Sequence, residues 1–115
     1  MIASTDNTAS ALSAGQVDAV TNLQGDCSKV LLVYDVALTW TAATSPLATS
    51  YDVERSLDDG PWSVIATVPS PDATGYTDLG LSTTGTYSYR VRTLTASTWD
   101  AVSGVAELVV DLLTC

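Results

Sequence analysis

Two tyrosines and two arginines crowd the stretch "GTYSYRVRTL", residues 85–94, as Tyr87, Tyr89, Arg90 and Arg92. Aromatic rings stack on bases and guanidinium groups neutralise phosphates, so this mixture could serve a nucleic-acid-reading strand. The same pattern also suits an ordinary half-buried strand. Bulk charge argues for the second option. The 115 residues carry 4 basic and 13 acidic side chains and no histidine, a formal charge of −9. Duplex binding draws most of its affinity from Lys and Arg at phosphates, and that balance repels a polyanion. Anionic lipid is disfavoured for the same reason. No nucleic-acid partner is expected.

Other chemistry finds few candidates. Without histidine the commonest metal ligand and general acid–base are missing. Two cysteines cannot build a thiolate-rich zinc site, which takes four ligands drawn mainly from Cys and His. A serine nucleophile would need Lys29, the single lysine, as its base. The acids fall on turns or alternate outward along strands, which does not give the apolar cleft that a glycosidase acid requires. Asp58 and Asp59 lie in "LDDGPW", a turn signal before it is a calcium corner, since calcium takes six or more oxygens. We therefore expect no enzyme activity, no cofactor and no metal.

The elements that must position these residues read as strands. Residues 1–16, "MIASTDNTASALSAGQ", are rich in Ser, Thr, Ala and Asn and cannot bury enough surface alone to offset their ordering entropy. They lack the basic n-region and apolar core of a signal peptide. No run of 18 apolar residues is present, so no membrane insertion by this chain is expected. From residue 17 to 115, short apolar runs are punctuated by turn residues. Seven strands are expected: around Val17–Leu23, Val33–Thr41, Ser50–Ser56, Trp62–Val68, near Gly75–Asp78, Thr86–Thr95 and Val105–Leu112. No window keeps a 3.6-residue apolar period. Strands at this spacing without helices imply an all-β antiparallel sandwich or barrel.

"VALTWTAA", "SYDVERSLDDGPWSVIATV", "GYTDLGLSTTGTYSYRVRTL" and "SGVAELVV" together resemble a fibronectin type III domain of the bacterial secreted kind, over about residues 17–112. Trp40 matches that family's core tryptophan and Tyr51 the aromatic of its third strand. Tyr76 matches the tyrosine of the "YTD" turn. Leu81, followed six residues later by Tyr87, matches the tyrosine corner, whose hydroxyl returns to the backbone. The resemblance implies a seven-stranded immunoglobulin-like β-sandwich. In that frame Tyr87, Tyr89 and Val91 point inward, while Arg90 and Arg92 point outward towards exposed acids such as Asp52 and Glu54 on the neighbouring strand.

The family normally has no disulfide, yet its topology places the first interstrand connection at the same end as the C-terminus. Cys27 falls in or beside that connection, and a bridge to Cys115 is implied. Such a bridge implies an oxidising compartment, extracellular or at the cell surface. Trp99, with Asp100, lies in the connection before the last strand, where the family presents recognition loops. There it could anchor a protein or stack on a sugar. The polar N-terminal run is similar to mature N-termini of surface fibre proteins of the TasA and camelysin type. That likeness implies a donated strand, with Ile2, Asn7, Leu12 and Val17 as its assembly residues.

The function expected from these readings is an exported bacterial surface protein, a structural fibre subunit or an adhesion module. Its partners would be proteins, copies of itself among them, with polysaccharide as a second class. An accessory module of a secreted carbohydrate-active enzyme and a virion surface domain are the alternatives.

Overall fold

A computed structural model describes residues 17–97 and 100–115. Eight strands run through them: β1 (Thr21–Val30), β2 (Val33–Thr41), β3 (Ala48–Leu57), β4 (Ser63–Val68), β5 (Gly75–Leu81), β6 (Gly85–Thr95), β7 (Asp100–Val102) and β8 (Ala106–Val110). All pairings are antiparallel. One sheet has the order β1-β2-β5; the other runs β4-β3-β6, with β7 and β8 both paired to β6. The two sheets pack face to face as an antiparallel β-sandwich, one of the two architectures the strand spacing left open and the one the family resemblance implied.

Period-2 alternation decides which side chains meet between the sheets. On β2 Tyr34, Val36, Leu38 and Trp40 are buried, while their neighbours are not. On β3 Tyr51 and Val53, and on β6 Tyr87, Tyr89 and Val91, face them across the core. Leu81 closes one end, and Tyr76 packs at the periphery of the same cluster. Trp40, Tyr51, Tyr87 and Tyr89 are therefore part of the core, and Tyr76, also expected inside, only borders it. Trp40 and Tyr51 meet edge to face, with ring centroids 5.8 Å apart.

Two strand assignments need correction. The first strand is Thr21–Val30 rather than Val17–Leu23. Val17 and Val20 are buried ahead of it, but β1 gains its regular register only from Gln24, opposite Thr39, after an irregularity between Thr21 and Gln24. Cys27 thus lies within β1, opposite Val36, and not in a connection. The expected Val105–Leu112 strand is β8 (Ala106–Val110), but the connection before it, read as a loop, contains the further strand β7 (Asp100–Val102). Ser103 imitates a strand residue, since its amide donates to Val91 O and its hydroxyl accepts from Val91 N, both at 2.9 Å. The chain then re-enters the ladder as β8. Eight strands replace seven without altering the topology.

The sheet edges are irregular. Register shifts occur in β1, opposite β5 at Tyr34/Val36, and in the β3–β4 pairing, while the β7–β8 break divides the fourth edge. Bulges and breaks of this kind blunt an edge against pairing with another chain.

Candidate functional site

The outward row on the larger sheet forms from cross-strand register. Glu54 stands opposite Arg90 and Asp52 opposite Arg92, yet Glu54 takes both arginines. Arg90 Nε donates to one of its oxygens, and Arg92 Nε donates to the other at 3.0 Å. Arg92 also reaches Asp100 at 3.1 Å. Asp52 instead accepts from the Thr67 hydroxyl at 2.6 Å. The Trp62 ring lies against one end of the row, with the Arg90 guanidinium 4.1 Å from its centroid. Glu54 is buried, and the expected exposed pairs form a part-buried network. Burial alone would raise the Glu54 pKa, but hydrogen bonds from Arg90 and Arg92 outweigh it and hold the carboxyl below its ordinary value. The tyrosines of this stretch lie on the inner face and its arginines are engaged with acids on the outer.

A second polar network crosses the core. Asp78 on β5 is buried; it accepts from Arg55 at 2.9 Å and from the Tyr89 hydroxyl at 2.7 Å, both on the opposite sheet. Burial and the bond to Asp78 push the Tyr89 phenol far above its usual range. Beside it the Tyr87 ring stacks on Tyr89, and its hydroxyl donates to Thr83 O at 2.7 Å. This is the four-residue return expected of a tyrosine corner.

At the pole where Val17 enters, polar groups are also paired. Asp18 accepts from the amides of Thr44 and Ser45 and from the Thr44 hydroxyl, at 2.7–3.0 Å. Burial would raise its pKa, but these donors outweigh it and lower it. The Trp40 indole donates to Ala73 O at 2.8 Å, and the Tyr51 hydroxyl donates to Pro71 O while accepting from Ala43 N. Trp99 lies outside the described residues. Its neighbour Asp100 begins β7 and engages Arg92 rather than standing in a free loop. Ile2, Asn7 and Leu12 also lie outside the described residues, and Val17 is buried. Among the described residues no group of three or more His, Cys, Asp or Glu converges as for a metal. Asp58 and Asp59 adopt left-handed φ, and Asp58 accepts from Thr86 N at 2.8 Å.

No protein-family model matches the sequence, and no curated protein is significantly similar to it. Solved structures are. A Fn3-like protein from Clostridium thermocellum is 33% identical, with 78% of this chain and 88% of that chain covered and a TM-score of 0.60. The chain belongs to the fibronectin type III family. A pectate lyase from Pectobacterium carotovorum contains a similar region, 23% identical with a TM-score of 0.60, covering 82% of this chain and 27% of that one. A structure of titin kinase and its flanking domains matches at 22% identity and TM-score 0.62, over 80% of this chain and 17% of that one. These last two share the fold.

Two further features of this type III domain lie at one pole. Cys27 and Cys115 form a disulfide, with Cα atoms 5.2 Å apart and a sequence separation of 88. The bridge ties β1 of one sheet to the turn that follows β8 of the other. The β1–β2 hairpin also ends in "VLLV", whose side chains are solvent-exposed. Sequence reading had not singled out that tip, nor Asp18, nor the Arg55–Asp78 pair. The tip's signal was visible as an apolar run where two strands meet with no turn residue between them. The other two depend on partners 26 and 23 residues away, which no local pattern reports.

Proposed function

We propose that this domain is a non-enzymatic structural or adhesion module of an extracellular or cell-surface protein, built to carry load between its two ends. The observation that carries the reading is the Cys27–Cys115 bridge. Chain entering at Val17 runs directly into β1, and Cys27 passes tension covalently to Cys115. The 88-residue interval between them, which holds almost the whole core, lies outside the load path. Only the start of β1 must resist by its hydrogen bonds to β2.

Single-molecule extension between residues 17 and 115 tests this. In the oxidised domain, unfolding should release only the ~10 residues before Cys27, ~35 Å at ~3.5 Å per residue. Reduction should add ~300 Å. A full-length release from the oxidised domain would end the reading.

Within the same reading, residues 1–16 are an assembly segment for copies of this chain. Deleting them should leave a folded domain that no longer forms filaments in electron micrographs, and filaments unchanged by the deletion refute the role. The pectate lyase likeness favours a second reading, an accessory module beside a polysaccharide-degrading enzyme. That reading expects retardation on a polysaccharide gel that is lost in Trp99→Ala.

A further inference from the structure

Both sheets are interrupted at the same level along one side of the sandwich. In β1 the register with β2 is irregular between Thr21 and Gln24. Asn22 takes a left-handed φ of 57° there, and its side chain donates to the Thr41 hydroxyl at 3.3 Å. Opposite, Gly104 and Val105 fall between the β6–β7 and β6–β8 pairings, while Ser103 turns its amide and hydroxyl to Val91. The breaks face each other across a groove of about 340 Å³, lined by residues 20–23 and 103–105, a volume in the range of ligand pockets. Val20 in the lining is buried and Val105 is 56% exposed, so the groove reaches from the core to open surface. Breaks deter an unspecific strand, which needs a continuous ladder, but they leave a gap that one matched segment can fill.

Residues 1–16 match the gap in reach and in chemistry. They join the described chain at Val17, three residues before Val20. Fully extended they span roughly 50 Å, more than the ~33 Å of a 10-residue strand such as β1. The lining carries no charged side chain, and the segment carries one, Asp6, among small Ala, Ser and Thr residues. Such a segment enters the groove without stripping water from a charge. Leu12 is its large apolar residue nearest Val17. To reach the groove of their own domain these residues would reverse the chain at 17–20, where Val17 and Val20 are buried and Asp18 is fastened to Thr44 and Ser45. A neighbour's groove requires no reversal.

We propose that the groove between the start of β1 and the β7–β8 break receives residues 1–16 of a second copy, with Leu12 seated against Val20, Leu23 and Val105. This rests on the reading of residues 1–16 as an assembly segment and names its acceptor. The contact joins two different surfaces, so it repeats head to tail rather than closing at two. Like charge opposes direct contact between bodies of net charge −9. The five residues from Leu12 to Val17 let those bodies stand ~17 Å apart, beyond the ~10 Å screening length at ~0.1 M salt.

Photo-crosslinking of the full chain tests the proposal, with Leu12→Met produced from a diazirine-bearing methionine in a mixture of isotopically light and heavy copies. Position 12 should cross-link to residues 20–23 or 103–105 and join light chains to heavy ones. Gly104→Leu should abolish both that cross-link and the filaments. A Cβ at Gly104 meets nothing within 4 Å, so the added side chain fills the groove while the melting temperature holds. Where Gly104→Leu lowers the melting temperature, Val105→Asp on the exposed rim carries the same test and should weaken assembly at least about tenfold. Cross-links confined to single copies, or to residues outside the groove, overturn the proposal. Filaments that survive both groove substitutions but are lost on deleting residues 1–16 overturn the groove as acceptor and leave the segment's role intact. Filaments indifferent to the deletion, or absent from the parent chain, end both.

Discussion

The two poles of this domain treat the ends of their strands in opposite ways. Where Val17 enters, the Asp18 carboxylate gathers the turn amides of Thr44 and Ser45, and Trp40 and Tyr51 satisfy their polar atoms on the loop at Pro71–Ala73. At the other pole a strained leucine turn and a leucine-rich C-terminal turn face solvent, and a disulfide holds them together. The first pole is stabilised by hydrogen bonds that also specify its loop geometry. The second relies on covalent linkage and on the Asp78 network just inside it. The difference indicates which pole can be altered without consequence for the free domain: the exposed tip, whose side chains touch little.

Four measurements would break or sharpen that contrast. Removing the bridge by Cys27→Ser with Cys115→Ser should have the largest effect. In the chain-entropy model a loop of this length is worth about 4–5 kcal/mol. Denaturant titration should show that loss, and a loss below about 1 kcal/mol would mean that the second pole holds without it. Asp78→Ala comes next. It strands the buried Tyr89 hydroxyl and unpairs Arg55, so a cost of about 3 kcal/mol is expected. Arg55 keeps some access to water, which places the value at the low end.

Asp18→Ala should cost about 2 kcal/mol at neutral pH, the scale of hydrogen bonds to a charged group. Because folding lowers the Asp18 pKa, its contribution is complete above the unfolded carboxyl value of about 3.9 and is lost as pH falls below it. The melting temperatures of parent and variant should therefore converge at acid pH, and a gap that persists there would assign the effect to packing. Leu31→Gly should have the smallest effect on the free domain. Removing the Cβ that strains the left-handed turn position is worth about 1–2 kcal/mol, and glycine's unfolded-state freedom takes back about 0.4–1. A net gain of about 0.5–1 kcal/mol, or a few degrees in melting temperature, is expected.

Much of the fold was legible in the residues. Val36, Leu38 and Trp40 alternate with Asp35, Ala37 and Thr39, and a period of two has only one buried arrangement once a second sheet covers it. The "LDDGPW" turn carries its own left-handed residues, Asp58 and Asp59. The first strand and the short β7 ahead of the last strand were placed less well, because their boundaries depend on contacts with distant chain. β1 begins where its register with β2 settles, and Ser103 separates β7 from β8 by bonding to Val91.

By itself the sequence determined the sandwich, the inward tyrosines and the poverty of catalytic groups, since alternation and residue type are local quantities. Only the tertiary structure decided that Glu54 would be buried and take both Arg90 and Arg92, that Asp78 would bridge the sheets, and that the leucine turn would share a pole with the C-terminal leucines. Each of these depends on which distant strands lie side by side. Cross-strand register is set by the packing of the whole core, and no single segment encodes it.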